Sequence, residues 1–571
     1  MKAIFKLTLL FIFSITISCD SADFNDPDAA ELASKSQNGT LKTLATGAKL
    51  HGTNGIYFGP DDNLYIASFY GQNITVMNKQ NGKILRQFGV NEGVLGPDDL
   101  VFHPDGKSFY YTDIITNYVG RMSLDGVQMG YQEFFPGTNP ITFNSEGRLF
   151  VALDFQGDGL YELDPNLVNA PRPIVPYVPG TYPLGFLNAF DFGPDGRLYG
   201  PLFLFKMVVS IDVGEAGDPP FPGNFNDWLT DGRVKIVADG FQYPVAAKFG
   251  PDGLLTVLDQ SGEVFKVNTV TGEKTLFAKL QPGLDNLAFD ADGNLFISNA
   301  DFGWIIQILP SGQARTISGG GMIGPMGLAV LEGTNGKDAV FVGDLFRMRQ
   351  YNGLTGKEEK VYKGYLVAEP DKLTMPFSVQ ADGKNLLVTS WFSLMVQVWN
   401  PQTDGVLEEY AMDFPIDAVR VNGEIVVSDL VLGGVVRIDK SIIAPLTVAS
   451  GLATDGETLW AADYGTGEIW QIDFVNPPVV VATGLNKPEG LAFEKPGQLV
   501  VVETGTSTLT RIDLASGNKT TVVDGLKLST PGLGAPPTWW FDGVTVGPSG
   551  DIYISGGDKN VIYKVPNNKL R

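Results

Sequence analysis

Short apolar runs separated by polar turns recur along nearly the whole chain. In the clearest copy, the runs Leu287–Phe289 and Leu295–Ser298 flank an Asp-Ala-Asp-Gly turn, and a third run, Ile305–Leu309, follows. Two β-rich runs around an Asp-Gly turn predict a hairpin, and a third run extends it to a meander. The copies recur at a spacing of about 40–50 residues, which is typical of β-propeller blades.

Twelve copies of this pattern can be aligned, each ending its first run before an Asp-Gly-type turn. They open at Asn54, Asp98, Asn139, Asn188, Val245 and Asp285, and then at Met326, Pro376, Asp417, Ser450, Glu489 and Asp542. A further apolar run precedes each copy, so we expect each blade to begin with its outer strand and continue with three inner strands. The pattern predicts an all-β protein of two tandem six-bladed propellers with twelve four-stranded blades. One ring of twelve, or seven blades plus five, are the alternatives.

Two additional apolar runs predict how the rings close. Leu41–Thr46 precedes the first copy, and Ala314–Ser318 lies between the sixth and the seventh. We expect Leu41–Thr46 to complete the sixth blade and Ala314–Ser318 the twelfth, because closure removes exposed strand edges. The predicted propellers therefore span residues 41–312 and 313–571. The long insertion Val213–Arg233 is expected on the face opposite the channel mouth.

The N-terminus has the pattern of a secretory signal. Lys2 and Lys6 precede the apolar run Leu7–Ile17, which is shorter than the roughly 20 residues of a membrane span. Cys19, the only cysteine, stands where a bacterial lipobox places its lipidated residue. We expect residues 1–19 to be a lipoprotein signal peptide and residues 20–40 a tether. The mature protein would then be exported and attached to a bacterial membrane through its lipid only.

Composition narrows the classes of partner. A net charge of −23 argues against nucleic-acid binding, which needs clustered Lys and Arg. A single cysteine excludes internal disulfides and cysteine-based zinc sites. We therefore expect a monomer whose partner is a small molecule or a glycan.

Oxygen-bearing side chains open the first six copies. In a propeller, the first strands begin and the second strands end around one mouth of the central channel, so these residues should form a ring. Such all-oxygen sets suit a hard cation such as Ca²⁺. The predicted metal ligands are Asn54, Asp98, Asn139, Asn188, Asp285 and Asn286. The alternative is that they are turn and cap residues that tie blade ends together.

These residues carry a resemblance to a known family. The copies resemble NHL-type blades, and the first six resemble the six-bladed, calcium-dependent hydrolases of the gluconolactonase/senescence marker protein family. The resemblance rests on Asp285–Asp290, Asp98–Leu100, Asn139 and Asn188, and it implies a catalytic Ca²⁺ at these positions and hydrolysis of lactones or related esters. Two departures are visible: Asn54 stands where the family has Glu, and Val245 makes one side of the ring apolar.

A hydrolase of this kind also needs a group that handles protons. His51 lies just before the first ring and is one candidate, with Asp113 and Asp99 as the others. His103 lies in a turn at the opposite face and is expected to be structural.

The predicted mouth of the second ring is different, because it is aromatic and acidic. Aromatic side chains with carboxylates bind flat sugar rings or apolar ligands. The predicted ligand-binding residues are Trp391, Trp539, Trp540, Asp417, Glu489 and Asp542. The alternative for Trp539 and Trp540 is that they pack beneath their own loop.

Three functions follow from these patterns. The first is a Ca²⁺-dependent lactone or ester hydrolase centred on the first ring. The second is a non-catalytic surface lipoprotein that binds a glycan or a protein at the second ring. The third is elimination chemistry of the virginiamycin B lyase type, a protein that resembles these blades but has seven of them and needs a well-placed His.

Overall fold

The computed structural model describes residues 41–333, 336–365, 370–529 and 540–567. The predicted signal peptide, the lipidation site Cys19, the tether and Trp539 lie outside these ranges. All described residues belong to one compact unit, Ala33–Arg571. Within the described ranges, no helix is long and apolar enough to cross a membrane.

The strands form twelve four-stranded antiparallel sheets. The first six sheets consist of β2 (Ile56–Phe58), β3 (Leu64–Ser68), β4 (Asn73–Met77), β5 (Ile84–Phe88); β6 (Pro97–Phe102), β7 (Ser108–Asp113), β8 (Tyr118–Ser123), β9 (Gln128–Glu133); β10 (Thr138–Phe143), β11 (Leu149–Leu153), β12 (Gly159–Leu163), β13 (Arg172–Val175); β14 (Asp191–Phe192), β15 (Leu198–Leu202), β16 (Met207–Ile211), β17 (Val234–Ala238); β18 (Pro244–Phe249), β19 (Leu255–Asp259), β20 (Glu263–Val267), β21 (Lys274–Lys279); and β22 (Leu284–Phe289), β23 (Leu295–Asn299), β24 (Ile305–Ile308), β25 (Ala314–Ser318). We number these sheets blades 1 to 6. One helix, α1 (Phe225–Asp231), lies in the insertion between β16 and β17.

The remaining strands form blades 7 to 12. They are β26 (Pro325–Glu332), β27 (Asp338–Asp344), β28 (Arg347–Asn352), β29 (Glu358–Lys363); β30 (Ser378–Asp382), β31 (Asn385–Ser390), β32 (Met395–Asn400), β33 (Gly405–Ala411); β34 (Pro415–Val421), β35 (Glu424–Asp429), β36 (Gly434–Arg437), β37 (Ile442–Pro445); β38 (Ala449–Thr454), β39 (Leu459–Asp463), β40 (Glu468–Ile472), β41 (Val479–Ala482); β42 (Pro488–Lys495), β43 (Gln498–Glu503), β44 (Thr508–Asp513), β45 (Lys519–Val523); and β46 (Val544–Val546), β47 (Ile552–Gly556), β48 (Val561–Val565) with β1 (Lys42–Thr46). Short 3-10 turns occur at Val90–Glu92 and Gly557–Lys559.

The predicted twelve blades are confirmed, and they close into two rings of six. The first strands of neighbouring blades contact each other around each axis, and β2 of blade 1 contacts β22 of blade 6. In the second ring, β26 of blade 7 contacts β46 of blade 12. A single ring of twelve and a seven-plus-five division are thereby excluded.

The predicted strand order within a blade is wrong. In blades 1 to 11 the four strands follow one another from the axis outward, so the outer strand comes last in the chain rather than first. The strand β41, for example, pairs with β40 in blade 10 and not with the strands that follow it. Each of these eleven blades is therefore a simple meander in which every strand pairs with its neighbour in sequence.

The predicted assignment of the two closing strands to blades is also wrong. Ala314–Ser318 pairs with β24 and completes blade 6, whereas Lys42–Thr46 pairs with β48 and completes blade 12. A short turn joins β24 to β25, so local pairing supplies the fourth strand of blade 6. The first ring is consequently inserted between the outer strand of blade 12 and the remaining strands of the second ring.

Hydrogen bonds, rather than a shared sheet, join the two ends of the first ring. Thr53 Oγ1 donates to Asn299 O (2.8 Å), and Asn299 N donates back to Thr53 Oγ1 (2.9 Å). Ser298 Oγ donates to Asn54 O at 2.7 Å. Blades 1 and 6 are thus held together at the channel mouth, although each consists of its own four consecutive strands.

The first strands of neighbouring blades approach each other closely at the axis. This explains why a glycine follows the residue that opens several blades. A Cβ atom on Gly55 would lie 2.3 Å from Asp99 Oδ1, and one on Gly543 would lie 2.8 Å from Gly327 Cα. No side chain fits at such distances, so glycine is required where neighbouring first strands meet. The apolar side chains of each sheet pack between adjacent blades, which leaves the polar opening residues to line the channel.

The mouth faces of the two rings meet at a junction, where blades 1 and 6 contact blades 7 and 12. Tyr70, which follows β3, donates its hydroxyl to Gly324 O (3.0 Å) and packs edge-on against Trp540, with ring centroids 4.1 Å apart. Arg347 of the second ring forms a buried ion pair with Asp301 of the first. The two propellers are therefore joined by specific side-chain contacts as well as by two crossings of the chain.

Candidate functional site

Irregular strand pairing aims the opening residues into the first channel. The pairing of β6 with β7 shifts register between Pro97 and Leu100, and the pairing of β22 with β23 shifts between Leu284 and Leu287. Asp98 and Asp285 lie within these bulges. A bulge re-aims the side chain it contains, and bulges are common beside functional sites. The predicted ring residues thus project from distorted strand starts and not from regular ladder positions.

An aspartate that ends the second strand caps the backbone of the mouth in several blades. Asp113 Oδ2 accepts hydrogen bonds from Leu95 N (3.0 Å) and Gly96 N (2.7 Å), and Asp259 Oδ2 accepts them from two backbone amides in the same way. Asp344, Asp429 and Asp463 of the second ring accept backbone hydrogen bonds in the same manner. This position is therefore structural in these blades.

Blade 3 departs from this arrangement. Asp154 occupies the position after β11 and accepts hydrogen bonds from Asn139 Nδ2, at 3.2 Å to Oδ1 and 3.0 Å to Oδ2. Asp158, four residues later, accepts hydrogen bonds from Leu184 N and Gly185 N (both 2.8 Å), which precede the first strand of the next blade, blade 4. The carboxylate of Asp154 thus binds a side chain where the corresponding acids of other blades bind backbone amides.

Asp98, Asp154 and Asp285 form an acidic cluster around Asn139. Burial raises the pKa of Asp98 to about 8, with a further contribution from the negative charge of Asp99, while a hydrogen bond from Asn139 opposes the shift. Burial, followed by the charge of Asp98, likewise holds the pKa values of Asp154 and Asp285 well above the usual range. Each carboxylate therefore raises the cost of ionising the others.

The cluster contains oxygens that lack hydrogen-bond donors. Among the described residues, no donor reaches the carboxylate of Asp285, and the fully buried Asp158 Oδ1 beside Asp154 is also without a partner. Lys248 is the cation that opposes the pKa increases of Asp99 and Asp285, and its Nζ lies 5.9 Å from the ring centroid of Tyr57. The single positive charge of Lys248 is not enough to neutralise the carboxylates of Asp98, Asp154 and Asp285.

The donor chemistry of the acidic cluster fits a hard divalent cation, since every candidate ligand atom is a carboxylate or amide oxygen. However, no group of three or more His, Cys, Asp or Glu side chains in the described part of the chain is arranged to hold a metal ion. A cation here would therefore need amide oxygens, from Asn139 and Asn188, in addition to carboxylates.

The other predicted ligands serve the scaffold as well. Asp99 accepts hydrogen bonds from Ile141 N (3.2 Å) and from Asn286 Nδ2 (3.2 Å), so it ties blade 2 to blades 3 and 6. Asn188 Oδ1 accepts a hydrogen bond from Ala189 N, its own neighbour, at 2.7 Å. Asn54 is buried and accepts the ring-closing hydrogen bond through its backbone carbonyl. The turn-and-cap alternative therefore describes Asp99 and Asn286, while Asp98 and Asp285 belong to the cluster.

The predicted proton acceptors lie apart from the cluster or are engaged. The His51 imidazole is hydrogen-bonded to the backbone of Ile323 and Asp558 at the ring junction, and burial lowers its pKa. The carboxylate of Asp113 is occupied by backbone amides. His103 pairs with Asp105 in the β6–β7 turn at the opposite face, as expected.

The aromatic residues predicted to bind ligand at the second ring are buried in protein. Trp391 is stacked between Phe377 and Phe414, with centroid distances of 4.5 and 5.6 Å. Trp540 contacts Tyr70 of the first ring, and both tryptophans belong to one apolar cluster at the junction. The first ring thus covers much of the aromatic mouth.

The predicted acidic ligands of the second ring are also buried. Asp417 accepts hydrogen bonds from Ser378 Oγ (2.7 Å) and Leu452 N (2.9 Å), and it ties blade 9 to its neighbours. Glu489 accepts a hydrogen bond from Asp542 N at 2.8 Å. Burial raises the pKa of Glu489 to about 8, and burial together with the charge of Glu489 raises that of Asp542.

Sequence reasoning missed three members of the first site. Asp154 directly follows a predicted second strand but is not among the predicted metal ligands, and neither Asp158 nor Lys248 is among the predicted site residues. A signal for the first two exists, because the turn after β11 carries an additional Asp four residues after Asp154. The burial of Lys248 among acids depends on three-dimensional packing and leaves no mark in the sequence.

Solved structures that are similar to this chain match it at low sequence identity and with TM-scores below 0.5. No protein-family model matches it, and no curated protein sequence matches it. Virginiamycin B lyase from Staphylococcus aureus is similar in structure, with 16% identity over 48% of this chain and 87% of that chain, and a TM-score of 0.34. The extracellular domain of a provisionally assigned one-component system from B. thetaiotaomicron shows 10% identity over 94% of this chain and 83% of that one, with a TM-score of 0.31.

A third similar structure is provisionally described as a gluconolactonase. It shows 12% identity over 52% of this chain and 97% of that chain, with a TM-score of 0.35. The solved structures that are similar to this chain thus include a virginiamycin B lyase and a provisionally described gluconolactonase.

Proposed function

We propose that this protein is an exported, lipid-anchored hydrolase of lactones or related esters, whose Ca²⁺-dependent site is the acidic cluster of the first ring. The hydrogen bonding of Asp154 is the observation that carries the proposal. Its counterparts Asp113 and Asp259 accept hydrogen bonds from backbone amides at the start of their own blades. The donor to Asp154 is instead the side-chain amide of Asn139, beside the buried carboxylates of Asp98 and Asp285.

Asp98, Asp154 and Asp285, with the amide oxygens of Asn139 and Asn188, would hold the ion. When bound, Ca²⁺ supplies a Lewis acid that polarises the substrate carbonyl and stabilises negative charge on its oxygen. Asn139 orients two of these carboxylates, because its amide hydrogen-bonds both Asp98 and Asp154. Val245, which is buried, makes one side of this ring apolar.

The proton acceptor for this chemistry is then a carboxylate or a water held by one. Both histidines lie elsewhere, His51 at the ring junction and His103 in a turn at the opposite face. The same placement counts against a lyase mechanism that depends on a histidine at the channel. The burial of Trp391 and Trp540 counts against glycan capture on the aromatic mouth.

The proposal is tested by metal analysis and an activity panel. Purified protein is dialysed, its calcium content is measured, and hydrolysis of aliphatic lactones and aryl esters is followed with and without chelator. We expect about one retained calcium per chain, activity that chelation abolishes and calcium restores, and loss of both in Asp285→Asn.

A matched variant separates ligand loss from general damage. Asp113→Asn changes an aspartate at the same mouth whose carboxylate only caps the backbone, so calcium content should be retained even if stability falls. Equal calcium content in wild type and Asp285→Asn would contradict the metal site. Calcium binding without turnover of any substrate in the panel would retain the site and reject the hydrolase.

A further inference from the structure

The second ring carries an open groove at its mouth face, between blades 10 and 11. The groove has a volume of about 450 Å³ and is lined by Val448, Tyr464, Thr466, Leu485, Asn486 and Lys487. This volume is in the range of small-molecule sites. The groove lies apart from the acidic cluster, in the other propeller.

Buried acids hold the segments that form the groove. Asp463 accepts hydrogen bonds from the backbone amides of Thr447, Val448, Gly465 and Thr466. On the other side, Glu503 Oε2 accepts one from Asn486 N at 2.7 Å. The walls are therefore preorganised, which lowers the entropic cost of binding a ligand.

Lys487 occupies a constrained position in the wall. Its φ of +52° is in the left-handed region, and its carbonyl accepts hydrogen bonds from Thr504 N (3.1 Å) and Thr504 Oγ1 (3.0 Å). Residues other than glycine persist in such conformations only where the surroundings fix them. The backbone of Lys487 is therefore held in place at the edge of the groove.

Lys487 is the one charged side chain among the residues that line the groove, although the chain as a whole carries −23. Lys487 is exposed and forms no ion pair with a described residue, and its Nζ lies 6.0 Å from the ring centroid of the half-buried Tyr464. Two buried acids, Glu489 and Asp542, act on the groove: both add to the increase that burial causes in the pKa of Tyr464, and the charge of Lys487 opposes the pKa increase of Glu489. An available ammonium thus stands beside an aromatic face in an acidic protein.

The polar groups around this ammonium favour a hydroxylated ligand. Asn486 and Thr466 are exposed at the rim of the groove and offer an amide and a hydroxyl. An aromatic side chain such as Tyr464 provides a flat apolar surface for the C–H face of a small ring. An anion without hydroxyls, such as phosphate, would interact with Lys487 alone. A ring that bears both a carboxylate and hydroxyls would interact with all four side chains, namely Lys487, Tyr464, Asn486 and Thr466.

We propose that this groove binds a small hydroxylated carboxylate, of the sugar-acid type. Lys487 would pair with the carboxylate, Tyr464 would pack on the ring, and Asn486 and Thr466 would hydrogen-bond the hydroxyls. The site is independent of the acidic cluster, and it gives the second ring a binding role of its own.

Isothermal titration calorimetry of the full chain tests this inference. The probes are glucuronate and gluconate, with glucose and inorganic phosphate as comparison ligands. We expect saturable binding of at least one sugar acid, and dissociation constants at least about tenfold weaker for glucose and phosphate, since a hydrogen bond to a charged group contributes about 1.5–3 kcal/mol.

Variants locate the binding. Lys487→Met and Tyr464→Leu should each weaken sugar-acid binding about tenfold or more, whereas Lys495→Met, at the exposed far end of β42, should leave it unchanged. Asp285→Asn should also leave it unchanged, which separates this site from the proposed hydrolase. The inference is overturned if no sugar acid binds, if phosphate binds as tightly, or if the two groove variants bind like wild type while circular dichroism shows them folded.

Discussion

Asn139 Nδ2 donates to both carboxylate oxygens of Asp154, at 3.2 and 3.0 Å, within blade 3 at the mouth of the first propeller. The same amide hydrogen-bonds Asp98, so one neutral side chain lies between two buried acids. Asn139 therefore offsets part of the electrostatic cost of a cluster that has few other donors.

Replacing this amide should destabilise the first ring. In Asn139→Leu, the carboxylates of Asp98 and Asp154 lose their shared donor, and an unsatisfied buried group costs about 1–3 kcal/mol. Urea denaturation should show a lower free energy of unfolding, and calcium, if it binds there, should restore part of it. Asn518→Leu, in an exposed turn, is the matched control and should be nearly neutral. Equal stability of both variants would show that the amide is dispensable.

The Glu489–Asp542 pair predicts how stability depends on pH in the second ring. Burial raises the pKa of Glu489 from 4.5 to about 8, so the folded protein retains a proton that the unfolded chain releases. The proton that Glu489 retains stabilises the folded state fully below pH 4.5. This stabilisation is lost as pH rises toward 8, and the free energy of unfolding falls by up to about 1.4 kcal/mol per pH unit.

Glu489→Gln should flatten this part of the stability profile, because the amide cannot ionise and still accepts a hydrogen bond from Asp542 N. Chemical denaturation between pH 4.5 and 8.5 measures the profiles. The exposed Glu457→Gln should retain the wild-type slope. A wild-type profile that rises over this interval, with no difference in Glu489→Gln, would contradict the assignment.

The ion pair between Arg347 and Asp301 should couple the two propellers. Both side chains are largely buried, with exposed fractions of 8% and 11%. Removing one partner of a buried pair leaves the other charge uncompensated and costs about 3–5 kcal/mol. Arg347→Met and Asp301→Asn should each lower the thermal midpoint, and the double variant should lose less than the sum.

A surface pair supplies the comparison. Arg437 and Glu424 form an exposed ion pair, and such pairs contribute about 0–1 kcal/mol. Arg437→Met should therefore shift the midpoint little. If the double variant lowered the thermal midpoint by the sum of the losses in Arg347→Met and Asp301→Asn, the two charges would not stabilise each other.

Removal of β1 should open the second ring and spare the first. A chain that begins at Gly47 lacks the strand that pairs with β48. Hydrogen exchange measured by mass spectrometry should show faster exchange in β48 and unchanged exchange in β2–β5. If β48 remained protected, the strand would not be needed to complete blade 12.

The blades were predictable because apolar alternation and Asp-Gly turns are local signals. Every copy found in the sequence corresponds to one four-stranded sheet, including the copy at Asp285 and the copy at Asp542. The closing strands were assigned to the wrong rings, since Leu41–Thr46 and Ala314–Ser318 have similar patterns and either fits an open sheet edge. Which edge is nearest in space depends on how the chain crosses between the rings.

The position of the candidate site could be predicted from the sequence, but which side chains belong to the acidic cluster could not. The opening residues do reach the first channel, because every first strand begins at that face. Hydrogen bonds then divide the roles: Asp99 binds the backbone amide of Ile141 in the next blade, whereas Asp154 binds the side-chain amide of Asn139 in its own blade. Strand bulges and hydrogen bonds between distant blades decide this division, and neither has a local sequence pattern.

The insertion of one propeller into a blade of the other sets an order of assembly. During synthesis, β1 leaves the ribosome first, while its partner β48 is made near the end. The first ring consists entirely of consecutive strands and can form while the second is incomplete. Throughout that interval β1 is a strand without a neighbour, so the growing chain must avoid mispairing at that edge, and a chain stopped early would retain the acidic cluster but lack the second propeller.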